Sequence, residues 1–222
     1  MMKQTVLLDL DGTLTDPGLG ITNSVLYALS QFGIEEKREN LYAFIGPPLV
    51  PSFMKRYGFS EEKAREAVRH FRVYFQDRGI YENTLYKGIP ALLSTLKARG
   101  FSVVLASSKP EEFAVRILRH FEIFPYFDAV CGAEMDEKGR VEKTDVIAYA
   151  LQTVGADPKE CVMVGDRKFD ILGGKENGTK TIGVLYGYGT KRELAAAGAD
   201  ALCATVSDLQ KTLLSIKEEK KE

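Results

Sequence analysis

The chain has 222 residues with 30 Lys and Arg against 31 Asp and Glu, so no excess of positive charge argues for a nucleic-acid partner. Its 45% apolar and 27% charged residues, mixed in sign, exclude wholesale disorder and suit a globular chain of about one and a half typical domains. Three scattered cysteines (Cys131, Cys161, Cys203) and two separated histidines (His70, His120) exclude a disulfide framework and a histidine-based zinc site, and point to buried free thiols in a reducing compartment.

Met1-Met2-Lys3-Gln4 leads into a short apolar segment without the long apolar stretch of a signal peptide. No run reaches the roughly 18 apolar residues of a membrane span. The expectation is a soluble cytoplasmic protein with no membrane partner.

Val6-Leu7-Leu8 is a continuous apolar run stopped by Asp9-Leu10-Asp11-Gly12, the pattern of a buried strand ending in a turn. Helical signals follow to about residue 85. Ile21, Val25, Leu29 and Phe32 recur at helical spacing and close at Gly33. Ser60 with Glu61 and Glu62 opens a long helix that the sequence ends near Gly79. Phe44-Ile45-Gly46-Pro47-Pro48 is a break between helices.

From Gly88 the pattern alternates. Ile89, Leu92, Leu93 and Leu96 form a helix face, Phe101–Ala106 a buried strand, and Pro110-Glu111-Glu112 opens a helix. Ala129–Cys131, Cys161–Val164 and Thr181–Val184 read as strands, while Thr144–Val154, Phe169–Asn177 and Val206–Ile216 read as helices. Such alternation implies an α/β fold with a parallel sheet. Lys217–Glu222 is a charged tail, expected to be solvated. Gly183–Gly189 is glycine-rich, but its spacing is not GxGxxG, and it reads as the turn after a strand.

Ligands of an α/β sheet bind beyond the carboxyl ends of its strands. Asp9 and Asp11 stand at such an end, two residues apart, so in extended chain their carboxylates share a side and repel unless a cation or a proton intervenes. Acidic capping of a turn is the plainer account of that pair alone. Ser107 and Ser108 could merely cap the helix that follows them, Lys143 could be an exposed lysine with Lys138 as rival, and Asp166 a helix cap.

The longer run Asp9-Leu10-Asp11-Gly12-Thr13-Leu14-Thr15-Asp16 resembles the first motif of the haloacid-dehalogenase-like phosphatases. Ser107-Ser108-Lys109-Pro110 sits where that family's second motif is expected, Lys143 fits the third, and Val164-Gly165-Asp166-Arg167-Lys168-Phe169-Asp170 matches the fourth, GDxxxD. The helical insert after the first motif is similar to the cap of the phosphoglycolate-phosphatase-like branch. The resemblance implies a Rossmann-like parallel sheet core, residues 1–15 and 86–222, with an inserted all-helical cap domain, residues 16–85.

It further implies phosphate monoester hydrolysis through an aspartyl-phosphate, with Mg2+ as cofactor. A carboxylate at ~3 Å from a dianionic phosphate meets about 11 kcal/mol of repulsion at an effective dielectric near ~20, which a divalent cation offsets. By the resemblance Asp9 is nucleophile and metal ligand, and Asp11 lends its backbone oxygen to the metal. Its side chain is the general acid and base, with a pKa expected to be raised by the nearby acids. Asp166 supplies a second carboxylate, and Asp170 completes the shell or orients its neighbours. Ser107, Ser108 and Lys143 hold the phosphoryl group, with Ser107 and Lys143 in the catalytic set.

Asp11 argues for phosphoryl transfer rather than dehalogenation, and GDxxxD for a hydrolase rather than a sugar-phosphate mutase, which remains an alternative. Phosphoglycolate is the substrate that the overall resemblance suggests. Thr15-Asp16-Pro17-Gly18 with Ile21-Thr22-Asn23-Ser24, and Gly46-Pro47-Pro48-Leu49, are also similar to members that hydrolyse nucleoside 5′-monophosphates, so a 5′-nucleotidase stays open. In the family the loop between cap helices faces the active site. Phe44, Ile45 and Gly46 are therefore candidates to pack on substrate and Lys55 or Arg56 to meet an anion, unless the segment is an apolar hinge. The expected partner is a small phosphorylated metabolite, and the expected state a monomer or homodimer.

Overall fold

The computed structural model describes residues 4–135 and 139–218. Met1–Lys3, Lys138 and most of the charged tail lie outside the described residues. In chain order the first elements are β1 (Thr5–Leu8), β2 (Thr15–Asp16), α1 (Gly18–Ser30), α2 (Leu49–Tyr57), α3 (Glu61–Tyr74), β3 (Thr84–Leu85), α4 (Ile89–Ala98) and β4 (Ser102–Pro110). Then come α5 (Glu111–His120), β5 (Ala129–Ala133), α6 (Lys143–Val154), β6 (Cys161–Gly165), α7 (Lys168–Glu176), β7 (Lys180–Val184), α8 (Lys191–Ala196), β8 (Ala201–Cys203) and α9 (Val206–Glu218). The chain divides into two compact units, residues 1–15 with 85–222, and residues 16–84.

The first unit is built on a six-stranded sheet in the order β5-β4-β1-β6-β7-β8, parallel throughout. All four residues of β1 are buried, as an apolar run flanked by strands on both edges and covered on both faces requires. Leu8 is level with Leu105 of β4 on one side and Val164 of β6 on the other. From β1 the chain builds outward to β4 and β5, then returns to β6 on the opposite side. β1 and β6 therefore flank the point where strand order reverses, the usual ligand crevice of such sheets. Beneath it Leu7, Val104 and Met163 of the sheet pack with Val146, Ile147, Ala150 and Leu151, the apolar stripe of α6. Cys131, Cys161 and Cys203 are free thiols, all buried.

In the second unit Ile21, Val25 and Leu29 of α1 face inward, and Ser60 Oγ caps α3 by accepting from the Lys63 amide at 3.2 Å. Phe44 and Ile45 are fully buried in this unit, and Phe44 packs on Phe53 with ring centroids 4.9 Å apart. Both side chains are part of this unit's core, and Arg56 donates to the Asn40 carbonyl at 3.0 Å, while Gly46 is exposed. The long helix does not run unbroken to Gly79. It changes at Phe75 into a single π-turn, Phe75–Gly79, which lets Gly79 approach Gly20 of α1 so closely that a Cβ on Gly20 would strike the Gly79 carbonyl.

Three further features depart from the sequence reading. β4 continues four residues past Ala106, with a register shift between Ser107 and Pro110. Ala201–Cys203 adds a sixth, edge strand held by pairing to β7, and Lys191–Ala196 forms a short helix before it. The Ala-rich stretch around them has neither β-branched alternation nor a long apolar face, so its structure comes from tertiary pairing.

Candidate active site

Register along the sheet decides what meets at its carboxyl edge. Asp9 directly follows β1, and its amide donates to the Val164 carbonyl at 3.0 Å. The chain then turns back tightly: the Leu14 and Thr15 amides donate to the Leu10 carbonyl at 2.9 and 3.0 Å, and the Gly12 amide to Thr15 at 2.7 Å. Gly12 takes φ +83° where a Cβ would collide with the Asp166 carboxylate, so only glycine fits both the angle and the approach.

Asp166 follows β6 and is fully buried. The Tyr188 amide donates to its Oδ2 at 2.7 Å. Among the described residues nothing donates to its Oδ1. It does not cap α7, whose N-cap is Arg167. Asp170 lies in the first turn of that helix, where its Oδ2 accepts from the Arg167 amide at 2.9 Å.

Lys143 is the first residue of α6 and is buried rather than exposed. Its Nζ lies 2.7 Å from Asp9 Oδ1, 2.9 Å from Asp170 Oδ1 and 3.0 Å from the Ala106 carbonyl. Asp9, Asp166 and Asp170 each offer an oxygen within 4.8 Å of the others. Burial alone would lower the Lys143 ammonium, but Asp170 and Asp9 outweigh it and raise its pKa. Burial, then the neighbouring Asp170 and Asp9, push Asp166 well above the ordinary carboxylate range. Asp170 is also raised, by burial first, with Lys143 opposing.

Three acids gather in a buried space with one ammonium that touches two of them, and among the described residues nothing donates to the Asp166 Oδ1, a hard oxygen donor. Such a donor set fits a hard divalent cation.

Asp11 is not one of the three clustered acids. Its Oδ2 pairs with Lys109 Nζ at 2.8 Å, with both side chains largely buried. Its pKa is raised, but burial is the largest cause, Lys109 pulls it back, and Asp9 contributes less than either. The expected raising by a nearby acid is present in Asp9, but as a lesser cause than burial. Ser107 is buried beside Ala106 and its Oγ accepts from the Lys109 amide at 3.3 Å. Neither it nor half-buried Ser108 caps α5, which starts at Glu111 behind Pro110.

Lys109 is the residue that sequence reasoning missed. Ending the strand at Ala106 hid the alternation that puts Ser107 and Lys109 on one side of an extended chain. Tyr188, which holds Asp166 through its backbone, carries no side-chain signal at all.

A family model described as haloacid dehalogenase-like hydrolase matches residues 6–184. A 5′-nucleotidase of Pseudomonas aeruginosa is 46% identical over 211 residues, 95% of each chain. The tyrosine-protein kinase PtkA of Mycobacterium tuberculosis is 36% identical over 95% of this chain and 72% of its own. A phosphoglycolate phosphatase of Aquifex aeolicus is 31% identical over 83% of this chain and 86% of its own. Among solved structures, a predicted phosphatase from Clostridium acetobutylicum superposes with a TM-score of 0.93 at 45% identity, covering 97% of this chain and 100% of that one.

Proposed function

From a chain that belongs to the haloacid dehalogenase-like hydrolases and is a phosphatase of that family, we propose a magnesium-dependent phosphate monoester hydrolase that works through an aspartyl-phosphate on Asp9. The observation that carries this reading is the contact of Lys143 with Asp9 and Asp170 beside Asp166.

Asp9 is the nucleophile. A carboxylate oxygen of Asp9 bonds to phosphorus as the ester P–O bond breaks, and the departing alkoxide takes the proton of Asp11. Asp11, now ionised, accepts a proton from the water that attacks phosphorus in the second step. Inorganic phosphate leaves and Asp9 is regenerated. Lys143 holds Asp9 Oδ1 in place and offsets its charge while the anionic substrate approaches. Ser107, with Ser108 and the backbone around them, holds the phosphoryl oxygens.

Asp9, Asp166 and the Asp11 carbonyl would hold Mg2+, with Asp170 completing or orienting the set, and the bound ion would supply charge neutralisation and Lewis acidity at the phosphoryl oxygens. The helical unit, residues 16–84, is assigned as the inserted cap domain.

The substrate is a small phosphorylated metabolite. The 46% identity to the Pseudomonas 5′-nucleotidase supports a nucleoside 5′-monophosphate, and the likeness to the Aquifex enzyme keeps phosphoglycolate as the second reading. A cytoplasmic monomer or homodimer fits this role.

The deciding experiment is a panel of phosphate esters with Mg2+, containing nucleoside monophosphates, phosphoglycolate and hexose phosphates. Inorganic phosphate should appear at the rate of substrate loss. An isomerised phosphosugar, or label passed to a tyrosine without phosphate release, would replace hydrolysis with transfer.

A further inference from the structure

We infer that the connection from β7 into α8, Tyr186 to Glu193, is a positioning element for the acidic centre: it fixes the backbone after Asp11, the carboxylate of Asp166 and the helix start that carries Asp170. The inference deepens the metal-dependent reading above and rests on it.

Four contacts from one short segment reach all three places. The Tyr186 hydroxyl donates to the Thr13 carbonyl at 3.1 Å. Its ring is held edge-on to Tyr86 with centroids 5.0 Å apart, and Tyr86 in turn donates its amide to Leu14 at 3.0 Å. Burial raises the Tyr186 phenol, so it stays protonated and remains a donor.

Two residues on, the Tyr188 amide holds Asp166 Oδ2. A hydrogen bond to a carboxylate is among the stronger neutral-to-charged contacts, and it leaves Oδ1 as the oxygen available to a cation.

At the far end Glu193 Oε1 accepts from both Arg167 Nε and the Lys168 amide at 3.0 Å. That ties down the first turn of α7, where the Arg167 amide holds Asp170. Thr190 Oγ caps α8 by accepting from the Glu193 amide at 3.1 Å, which fixes the strut itself.

Glycine between these contacts is a steric requirement. A Cβ at Gly187 would overlap the Gly12 carbonyl and the Asp166 carboxylate together, and one at Gly189 would overlap the Asp166 carbonyl. The glycine-rich stretch therefore exists to let backbone approach a carboxylate.

The test measures metal affinity of the full chain without substrate, using Mn2+ as probe and electron paramagnetic resonance to count the free ion. Gly187→Ala should weaken Mn2+ binding by about tenfold or more, the range typical of groups that orient metal ligands, while far-UV circular dichroism is unchanged. Tyr186→Phe, which removes one hydrogen bond, and Glu193→Gln, which removes the charge that accepts two, add no bulk and should each weaken it by about threefold or more, the worth of a single hydrogen bond.

Mn2+ affinity within twofold of the parent in Tyr186→Phe and Glu193→Gln would overturn the inference even if Gly187→Ala failed to fold. Equal affinity in a folded Gly187→Ala would overturn it too. No Mn2+ binding by the parent chain would instead overturn the metal-dependent reading beneath it.

Discussion

Lys109 Nζ lies 2.8 Å from Asp11 Oδ2 in an ion pair whose members are only 6% and 13% exposed. For the role proposed for Asp11 in both proton steps, two opposed effects matter: burial holds the carboxyl toward the acid form and the ammonium holds it back. Replacing Lys109 by Met keeps the stem and removes the charge, leaving Asp11 buried without its cation. The expected result is a kcat lower by about 10- to 100-fold, with KM changed less, because proton transfer is what suffers. Steady-state kinetics on p-nitrophenyl phosphate measures both. An unchanged kcat would remove Lys109 from the chemistry.

Asp9→Asn should remove turnover by about 10⁴-fold or more, as expected when a nucleophile is lost. The fold should survive, because Lys143 keeps its ion pair with Asp170 at 2.9 Å and its bond to the Ala106 carbonyl. Asp11→Asn should differ in kind: attack by Asp9 is still possible with a good leaving group, and the covalent species then waits for water. Acid quenching with labelled substrate should trap up to one phosphoryl group per chain in Asp11→Asn and none in Asp9→Asn. Retained activity in the first, or nothing trapped in the second, contradicts the assigned roles.

Removing Lys143 makes a sharper prediction about stability. Lys143→Ala leaves Asp9, Asp166 and Asp170 facing one another in a buried space with no ammonium. Loss of one partner from such a buried cluster costs about 3–5 kcal/mol. A divalent cation replaces the missing charge, so Mg2+ should raise the melting temperature of Lys143→Ala more than that of the parent chain. Equal Mg2+ shifts in the two would mean that the cation does not enter this cluster.

The contrast between Lys143 and Lys109 shows which parts of such a site a sequence carries. Asp9, Asp166, Asp170 and Lys143 sit at strand ends or in first helix turns whose boundaries local apolar runs and caps mark, but their roles come from the family resemblance rather than from those signals. Lys109 lies beyond an apparent strand end, inside the register shift between Ser107 and Pro110, the two positions there that pair with β5. The π-turn at Phe75–Gly79 and the edge strand Ala201–Cys203 escape for the same reason: close approach to Gly20 in one case and pairing to β7 in the other produce them. Contacts donated by backbone, such as Tyr188 to Asp166, leave no mark on residue identity. Glycines at 187 and 189 are their only trace, and composition alone reads these as a turn.

The strand that leads into Tyr186 is anchored by Asp200, and this anchor should fail in acid. Asp200 Oδ2 accepts from both the amide and the hydroxyl of Thr181 at 2.8 Å, while Oδ1 meets Lys175 at 3.0 Å. Partial burial alone would raise its pKa, but the bonds from Lys175 and Thr181 outweigh it and hold the carboxyl below its ordinary value. A depressed folded-state pKa means that the stabilisation is present above the unfolded value of about 3.9 and is lost as pH falls through the lower folded value. The ion pair is 40% and 46% exposed, so screening limits the effect to about 1 kcal/mol or less. Asp200→Asn should therefore be less stable than the parent in urea at neutral pH, and the gap should close as pH falls below the ordinary carboxylate value of about 3.9 and the parent takes up its proton. A gap of constant size across that range would show that Asp200 supports β7 by shape rather than by charge.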